Sequence, residues 1–470
     1  MKTLARINLL VLCGLALAVL LTAQHTAYAQ LECNRVGAAI TTTGDIALTD
    51  TVQSIRLFRD GRGSTCTFTR TPTTSVVSVN SDAYTFTNTT GGAACISVEL
   101  NATGCGVATN QIGIAAYSPS YNPAAVTTNV IGDPGLSTGQ NFFTTLTFSV
   151  PAGATYVIVV HTINNATTCP SYTFTQYIYN GCRAPGSDLA NDGRADLAVF
   201  RPLASNSTWY GLDLTSGSPP SATLGSTGDI PVPGDYNGDE ATDVAVFRPS
   251  NGTWYTSTNP ANNYGAKAFG LSGDIPVQGN WDRDDITDLG VFRPSNNTWY
   301  ILRSSDSTLL QLTFGTTGDK PVPADYDGDN KTDFAVFTPS TGQWRVIGSF
   351  GNYASFTLTQ TFGTSTDIPV PADYDGDAKA DLAIYRPSEG GWYIFRTSLT
   401  TGQVQFVQWG ASGDMPQPAD YDNDKKADQA VFRPSNSTWY ILRSTAGATT
   451  AQFGQSGDQP VSSPNPNTNQ

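Results

Sequence analysis

From Asp188 onward the chain repeats itself six times, and this periodicity restricts the fold more than any other feature of the 470 residues. The copies open with DLANDGRADLAVFRP at Asp188, DYNGDEATDVAVFRP at Asp235, NWDRDDITDLGVFRP at Asn280, DYDGDNKTDFAVFTP at Asp325, DYDGDAKADLAIYRP at Asp373 and DYDNDKKADQAVFRP at Asp420. The steps between them are 47, 45, 45, 48 and 47 residues. Each acidic segment runs into an apolar strand, then a Pro-containing turn, a second strand with a Trp, a variable hairpin and a segment of the form FGxxxDxP, where Leu replaces Phe in the first copy and Trp in the fifth. This period has room for four short strands and none for a helix.

Four-stranded units at this spacing are the blades of a β-propeller, whereas a solenoid coil repeats at a shorter one. The phase of the repeat argues for closure. The first copy begins at its acidic loop with no GDxPVP strand before it, while FGQSGDQPV, Phe453 to Val461, has no acidic loop after it. The two halves make one blade from the two ends of the region. The expected fold class is therefore all-β, with residues 188–461 forming a six-bladed β-propeller (seven blades is the alternative) and residues 462–470 a disordered tail.

The acidic segments have their own chemistry. In DYDGDNKTD, Asp325 to Asp333, the side chains at positions one, three, five and nine are carboxylates, the hard oxygen ligands that suit Ca²⁺, and the carbonyl of position seven is an expected fifth ligand. Gly328 permits the tight turn between ligands. Without a cation the four charges repel one another beside the start of a strand. Mg²⁺ suits such an all-protein cage less well, because it keeps several of its waters.

This spacing, followed by an apolar strand, resembles the FG-GAP repeats of integrin α chains and the related bacterial VCBS repeats, over about 275 residues. The resemblance implies calcium ligation by Asp235, Asn237, Asp239 and Asp243; by Asn280, Asp282, Asp284 and Asp288; and by Asp325, Asp327, Asp329 and Asp333. It continues with Asp373, Asp375, Asp377 and Asp381, and with Asp420, Asp422, Asp424 and Asp428. In the first loop Asp188, Asp192 and Asp196 fit, but Ala190 stands at position three, so that site is expected to be weak or empty.

Residues 1–29 read as a secretory signal peptide: Lys2 and Arg6 precede an apolar run from Leu9 to Leu21, and Ala27-Tyr28-Ala29 offers a cleavage site. Its removal takes two positive charges and no negative ones, moving the net charge from −14 to −16. So acidic a chain repels nucleic acid and anionic lipid, which excludes both as main partners. No later apolar stretch is long enough for a membrane helix. Six cysteines remain, Cys33, Cys66, Cys95, Cys105, Cys169 and Cys182, and an even count in an exported chain points to three disulfides. Because short loops close most easily, Cys95 with Cys105, Cys169 with Cys182 and Cys33 with Cys66 are the expected pairs.

The cysteines mark residues 30–182 as a separate domain, joined to the repeats by a linker at 183–187. Alternating segments such as DAYTFTN, CISVEL, TTLTFSV, TYVIVVHTI and SYTFTQYIY predict a jelly-roll-like β-sandwich of about eight strands. Their order, with the PAGATY turn, resembles the pre-peptidase C-terminal domains found beside secreted bacterial enzymes over about 110 residues, and that resemblance implies an accessory binding or spacing role.

Catalysis finds little support. His161 is the only histidine left after cleavage, which removes the His-based zinc and triad arrangements, and the clustered aspartates are already accounted for by the loops. Trp209, Trp254, Trp299, Trp344, Trp392 and Trp439 suit packing between blades better than a display of rings for sugars. Arg201, Arg248, Arg293, Arg386 and Arg433, with Thr338 breaking the series, are expected to hydrogen-bond across blades. The sequence thus points to a secreted or cell-surface, non-enzymatic, monomeric calcium-binding protein that recognises a glycan or protein outside the cell. The alternatives are an extracellular polysaccharide-active enzyme and a purely structural surface module.

Overall fold

The computed structural model describes residues 24–28, 32–35, 39–53, 56–57, 74–75, 78–105, 112–132, 143–163, 168–183, 188–190, 193–217, 221–239, 241–257, 264–284, 286–349, 353, 357–377, 379–396, 404–461 and 465–469. The chain is all-β, and among the described residues a single 3-10 turn, Thr103–Cys105, interrupts the strands of the N-terminal part. No helix among the described residues is long and apolar enough to cross a membrane.

Among the described residues the repeat region forms six four-stranded antiparallel sheets. The fourth is representative: Lys320–Pro321, Phe334–Thr338, Gln343–Ile347 and Thr357–Thr361 pair in that order. Burial falls from the first long strand outward. Phe334–Phe337 are buried on both faces, Gln343–Ile347 bury alternate residues, and Thr357–Thr361 are exposed at every second position. Val and Phe run continuously where both faces are covered, and Thr alternates where one face meets water. The two-residue strands hold Pro because an edge strand does not need every N–H.

The first sheet takes strands from both ends of the region. Leu197–Arg201 pairs with Thr208–Leu212 on one side and with Gln459–Pro460 on the other, with Phe200 opposite Gln459. The apolar clusters run from each sheet to the next. Trp344 and Phe337 of the fourth pack with Leu382 and Ile384 of the fifth, and Trp439 and Phe432 of the sixth pack with Leu197 and Val199 of the first. The six sheets therefore close into a ring.

The N-terminal part holds two five-stranded sheets. One has the order Val130–Gly132, Ile112–Tyr117, Thr155–Thr162, Val79–Thr87, Thr51–Gln53. In the other, Phe143–Val150, Ala94–Asn101, Cys169–Arg183 and Glu32–Arg35 lie in sequence, and Ile40–Ile46 also pairs with Cys169–Arg183. Ile96, Val98, Leu100 and Phe174 of the second sheet meet Ile114, Tyr156 and Ile158 of the first in one core.

The disulfides differ from expectation. Cys105 is bonded to Cys169, with 4.5 Å between their Cα atoms, which overturns both the Cys95–Cys105 and the Cys169–Cys182 pairings. Strand geometry explains the difference. Asn101 lies opposite Thr173, so four residues further along each antiparallel strand Cys105 meets Cys169. Cys95 sits at the far end of its strand, roughly 20 Å or more from Cys105 at about 3.4 Å per residue. Cys95 is itself disulfide-bonded, and Cys33 lies opposite Cys182 in the strand register. Cys66, the expected partner of Cys33, is outside the described residues, as is most of the expected signal peptide. Within the expected tail, Asn465–Asn469 pairs with Gln24–Tyr28.

Candidate metal centre

The second to sixth acidic loops each leave one of the short inner strands and turn into the long strand beside it. The second residue of each of these five loops is an aromatic that ties the loop to that inner strand. The hydroxyls of Tyr236, Tyr326, Tyr374 and Tyr421 donate to the carbonyls of Val232, Val322, Val370 and Gln417 at 2.6, 2.7, 2.8 and 3.0 Å. In the third loop the indole N–H of Trp281 makes the equivalent bond to Val277 at 3.3 Å. Position four is left-handed in the second to sixth loops, at φ 77, 65, 80, 82 and 62° for Gly238, Arg283, Gly328, Gly376 and Asn423.

The turn directs backbone N–H groups at the carboxylates. Asp325 Oδ1 accepts from Gly328 at 2.6 Å and its Oδ2 from Asn330 at 2.7 Å; Asp333 Oδ2 accepts from Tyr326 at 2.7 Å. The ninth carboxylate is also held from the following hairpin, by the N–H groups of Ser304 on Asp288, Ser349 on Asp333 and Ser444 on Asp428, at 2.6, 2.6 and 2.7 Å. These serines lie sixteen residues beyond the loop and carry no acidic signature, so the sequence pattern did not reveal them.

Four loops bring three carboxylates together, with one oxygen from each within 4.8 Å of the others. In three of them the trio is positions one, three and nine: Asp325, Asp327 and Asp333; Asp373, Asp375 and Asp381; Asp420, Asp422 and Asp428. In the third loop, where Asn280 holds position one, the trio is Asp282, Asp284 and Asp288. The expected fifth-position ligands Asp329, Asp377 and Asp424 stand outside these trios. Asp329 Oδ1 accepts from Lys331 N–H at 3.0 Å and from the Ser349 hydroxyl at 2.7 Å, and Asp424 accepts from the Ser444 and Thr445 hydroxyls.

The second loop forms no such trio among the described residues; there Asn237 Nδ2 donates to Asp243 Oδ1 at 3.3 Å, and Asp239 holds Ala241 N–H. In the first loop Asp196 Oδ2 accepts from Leu189 and Ala190, Asp188 accepts from Gly193, and Asp192 lies outside the described residues.

Burial and mutual repulsion set the electrostatics. Burial, aided by the charge on Asp282, lifts the Asp288 carboxyl to about 8 against the hydrogen bonds from Ser304 and Trp281. Burial likewise lifts Asp428 to about 8, and Asp243 and Asp325 to about 7. Asp333, fully enclosed beside Asp325 and Asp329, is driven well above the usual carboxylate range. Asp282 Oδ1 and Asp422 Oδ1 are buried oxygens that accept no hydrogen bond. Clustered hard oxygens, raised proton affinity and unmet acceptors together form a donor set that fits a divalent cation.

The loops are also joined to one another. The carbonyl of each first residue accepts from the N–H of the eighth residue of the next loop: Thr242 to Asp188, Thr287 to Asp235, Thr332 to Asn280, Ala380 to Asp325 and Ala427 to Asp373, at 3.2, 2.6, 2.7, 2.7 and 2.7 Å. Ala195 to Asp420, at 2.8 Å, completes the circle.

A second set of carboxylates recurs away from the loops. Arg201, Arg248, Arg293, Arg386 and Arg433 bind Asp458, Asp229, Asp274, Asp367 and Asp414 through Nε at 2.7 to 2.8 Å, and each stacks on a Tyr ring. These pairs lie within one sheet, not across blades as expected, because each Asp stands opposite its Arg in the strand register. The six tryptophans are buried, and each indole N–H is spent on a backbone carbonyl 14 to 18 residues ahead. None is open to a sugar ring. His161 is packed inside its strand with Nδ1 2.9 Å from the Thr162 carbonyl.

No protein-family model matches the chain, and no curated protein matches it. Among solved structures it is similar to a catalytically inactive virginiamycin B lyase from Staphylococcus aureus (11% identity, 56% of this chain and 87% of that one, TM-score 0.38). It is also similar to an Agrocybe aegerita lectin that recognises non-reducing terminal N-acetylglucosamine (14%, 59% and 91%, TM-score 0.39) and to AztD of Citrobacter koseri (9%, 57% and 96%, TM-score 0.32). At these distances no residue role passes from those proteins to this chain.

Proposed function

We propose that this is a secreted, non-catalytic protein whose repeats are the blades of a six-bladed β-propeller of FG-GAP/VCBS type. In this reading the acidic loops bind calcium and the ring recognises a glycan or protein ligand outside the cell. The observation that carries the reading is the set of four convergent carboxylate trios on a ring of linked loops. In the calcium form Asp325, Asp327 and Asp333, with their counterparts in the third, fifth and sixth loops, hold the ion, which neutralises charge that otherwise opposes folding. The Cys105–Cys169 disulfide is in keeping with an oxidising compartment, and the two-sheet unit serves as an accessory β-sandwich. The binding reading is also supported by Asp229, Asp274, Asp367, Asp414 and Asp458, whose carboxylate oxygens are engaged in guanidinium pairs.

The test has two parts. Thermal unfolding of the mature, oxidised protein is compared in millimolar Ca²⁺ and in calcium-stripped buffer; a cation that binds only the folded state must raise Tm. A broad glycan array is then probed under both conditions. Coincident melting curves sink the calcium assignment. A silent array rejects a glycan and directs the search to a protein ligand on the cell surface.

A further inference from the structure

Position four of the third loop breaks the local rule: Arg283 stands where the second, fourth and fifth loops have Gly, and it adopts φ 65°. A bulky, charged side chain in the left-handed region is strained, and such strain persists where other contacts over-determine it. Here those contacts belong to the N-terminal part. Arg283 is 1% exposed; Nη1 lies 2.9 Å from Glu99 Oε1, and the guanidinium sits 4.2 Å from the centre of the Tyr177 ring. Its Nη2 is 3.5 Å from Asp329 Oδ2, a carboxylate of the fourth acidic loop.

The sheet that supplies Glu99 and Tyr177 shows the same docking. Ile96, Val98 and Leu100 of Ala94–Asn101 face the two-sheet core, so Cys95, Ser97 and Glu99 belong to the opposite face. Ser97 is nevertheless wholly buried, and Tyr179, opposite Cys95 in the register, is too. An open face would leave both in water. The guanidinium thus bridges a carboxylate of each domain at a covered contact.

We propose that Arg283 is a resident cation that latches the two-sheet domain onto the acidic loops and, by neutralising Asp329, opposes divalent-cation binding at the fourth loop. The coupling to calcium rests on the function proposed above, whereas the latch stands on its own contacts. A fixed positive charge beside Asp325, Asp327 and Asp333 repels an incoming Ca²⁺, so docking and metal binding at that loop compete.

The experiment uses the full mature chain as wild type, Arg283→Gly and Glu99→Gln. Arg283→Gly restores the glycine of the second, fourth and fifth loops and relieves the strain, so it keeps the ring folded. Solution scattering in calcium-stripped buffer reads the latch: both variants should have a larger radius of gyration than wild type. Calorimetric Ca²⁺ titration reads the coupling: one site should tighten about tenfold or more in Arg283→Gly and by less in Glu99→Gln, which undocks the domain but keeps the positive charge. Wild-type scattering from both variants overturns the latch. A wild-type isotherm from Arg283→Gly, in a protein that does bind calcium, overturns the coupling alone. No calcium binding in any form overturns the coupling together with the calcium reading, and scattering still decides the latch.

Discussion

The contact between consecutive loops can be tested at one atom. Thr332 donates its N–H to the Asn280 carbonyl at 2.7 Å, which brings its side chain over Gly279. A Cβ on Gly279 would lie 2.4 Å from Thr332 Oγ1 and 3.1 Å from both its Cβ and its Cγ2. Thr332 is fully buried and cannot swing away, so Gly279→Ala must separate the loops or twist a locked side chain. Overpacking of this kind costs about 2 kcal/mol, which for a cooperative unit of this size lowers Tm by roughly 4–8 °C. Thr332→Ala alone removes a buried methyl and a hydroxyl, for about 1–2 kcal/mol. Three other junctions use alanine on both sides: Ala324 shares a core with Ala380, Ala372 with Ala427, and Ala419 with Ala195. The double variant Gly279→Ala/Thr332→Ala rebuilds that junction and should come within about 1 kcal/mol of wild type, since the alanine also restricts the unfolded chain. Scanning calorimetry on the four proteins, in calcium and in calcium-stripped buffer, closes the cycle. If the double variant loses the sum of the two single losses to within about 0.5 kcal/mol, the argument from steric fit is wrong.

Other outcomes follow from the same geometry. In calcium-stripped buffer stability should fall as pH rises from about 4 to 8: Asp243, Asp325, Asp288 and Asp428 have folded values of about 7, 7, 8 and 8 against 3.8, so the folded state holds more protons across that window. Saturating calcium should remove this slope, as Tm measured against pH will show. In the fourth repeat Thr338 takes the arginine position and Arg345 the tyrosine position, and both reach Asp319; Arg345→Tyr should therefore destabilise, and Thr338→Arg with Arg345→Tyr should restore the melting temperature by rebuilding the pair of the other sheets. Peptide mapping of the unreduced protein should yield Cys105 linked to Cys169, and Cys105→Ser should cost about 4 kcal/mol by the entropy of a loop of 64 residues, read from denaturant unfolding.

What the sequence showed plainly was whatever repeats within a copy. The strand that follows each acidic loop, the Trp on the next strand and the acidic residues themselves recur at fixed spacing, and a period of 45 to 48 residues already limits each copy to four strands. Contacts between copies were harder to read, because a pair is visible only once topology makes it adjacent. The disulfide is the simplest case: proximity along the chain suggested Cys95 with Cys105, but an extended strand separates neighbours in sequence and an antiparallel register joins residues 64 apart. The arginines erred in the opposite direction, expected to reach across to another blade when their aspartates lay one strand away in the same sheet.

The Gly–Thr and Ala–Ala junctions carry this one step further. Thr287 packs where a Cβ on Gly234 would lie, 2.7 Å from Oγ1, and Thr332 does the same over Gly279, whereas the later junctions pair alanines. Each residue alone looks like neutral drift between copies. Aligned so that one loop's preceding residue is set against the next loop's eighth, they are complementary in size from the second loop onward, up to the junction of Ala419 with Ala195, which joins the last loop to the first. That last match ties residues more than 200 positions apart in the chain, and it holds only if the sixth sheet is the neighbour of the first. Closure of the ring is thus written in side-chain volume as well as in the phase of the repeat, and a variant that spoils the last junction, Ala195→Thr against Ala419, should destabilise the ring just as Gly279→Ala does, with Ala419→Gly as its rescue.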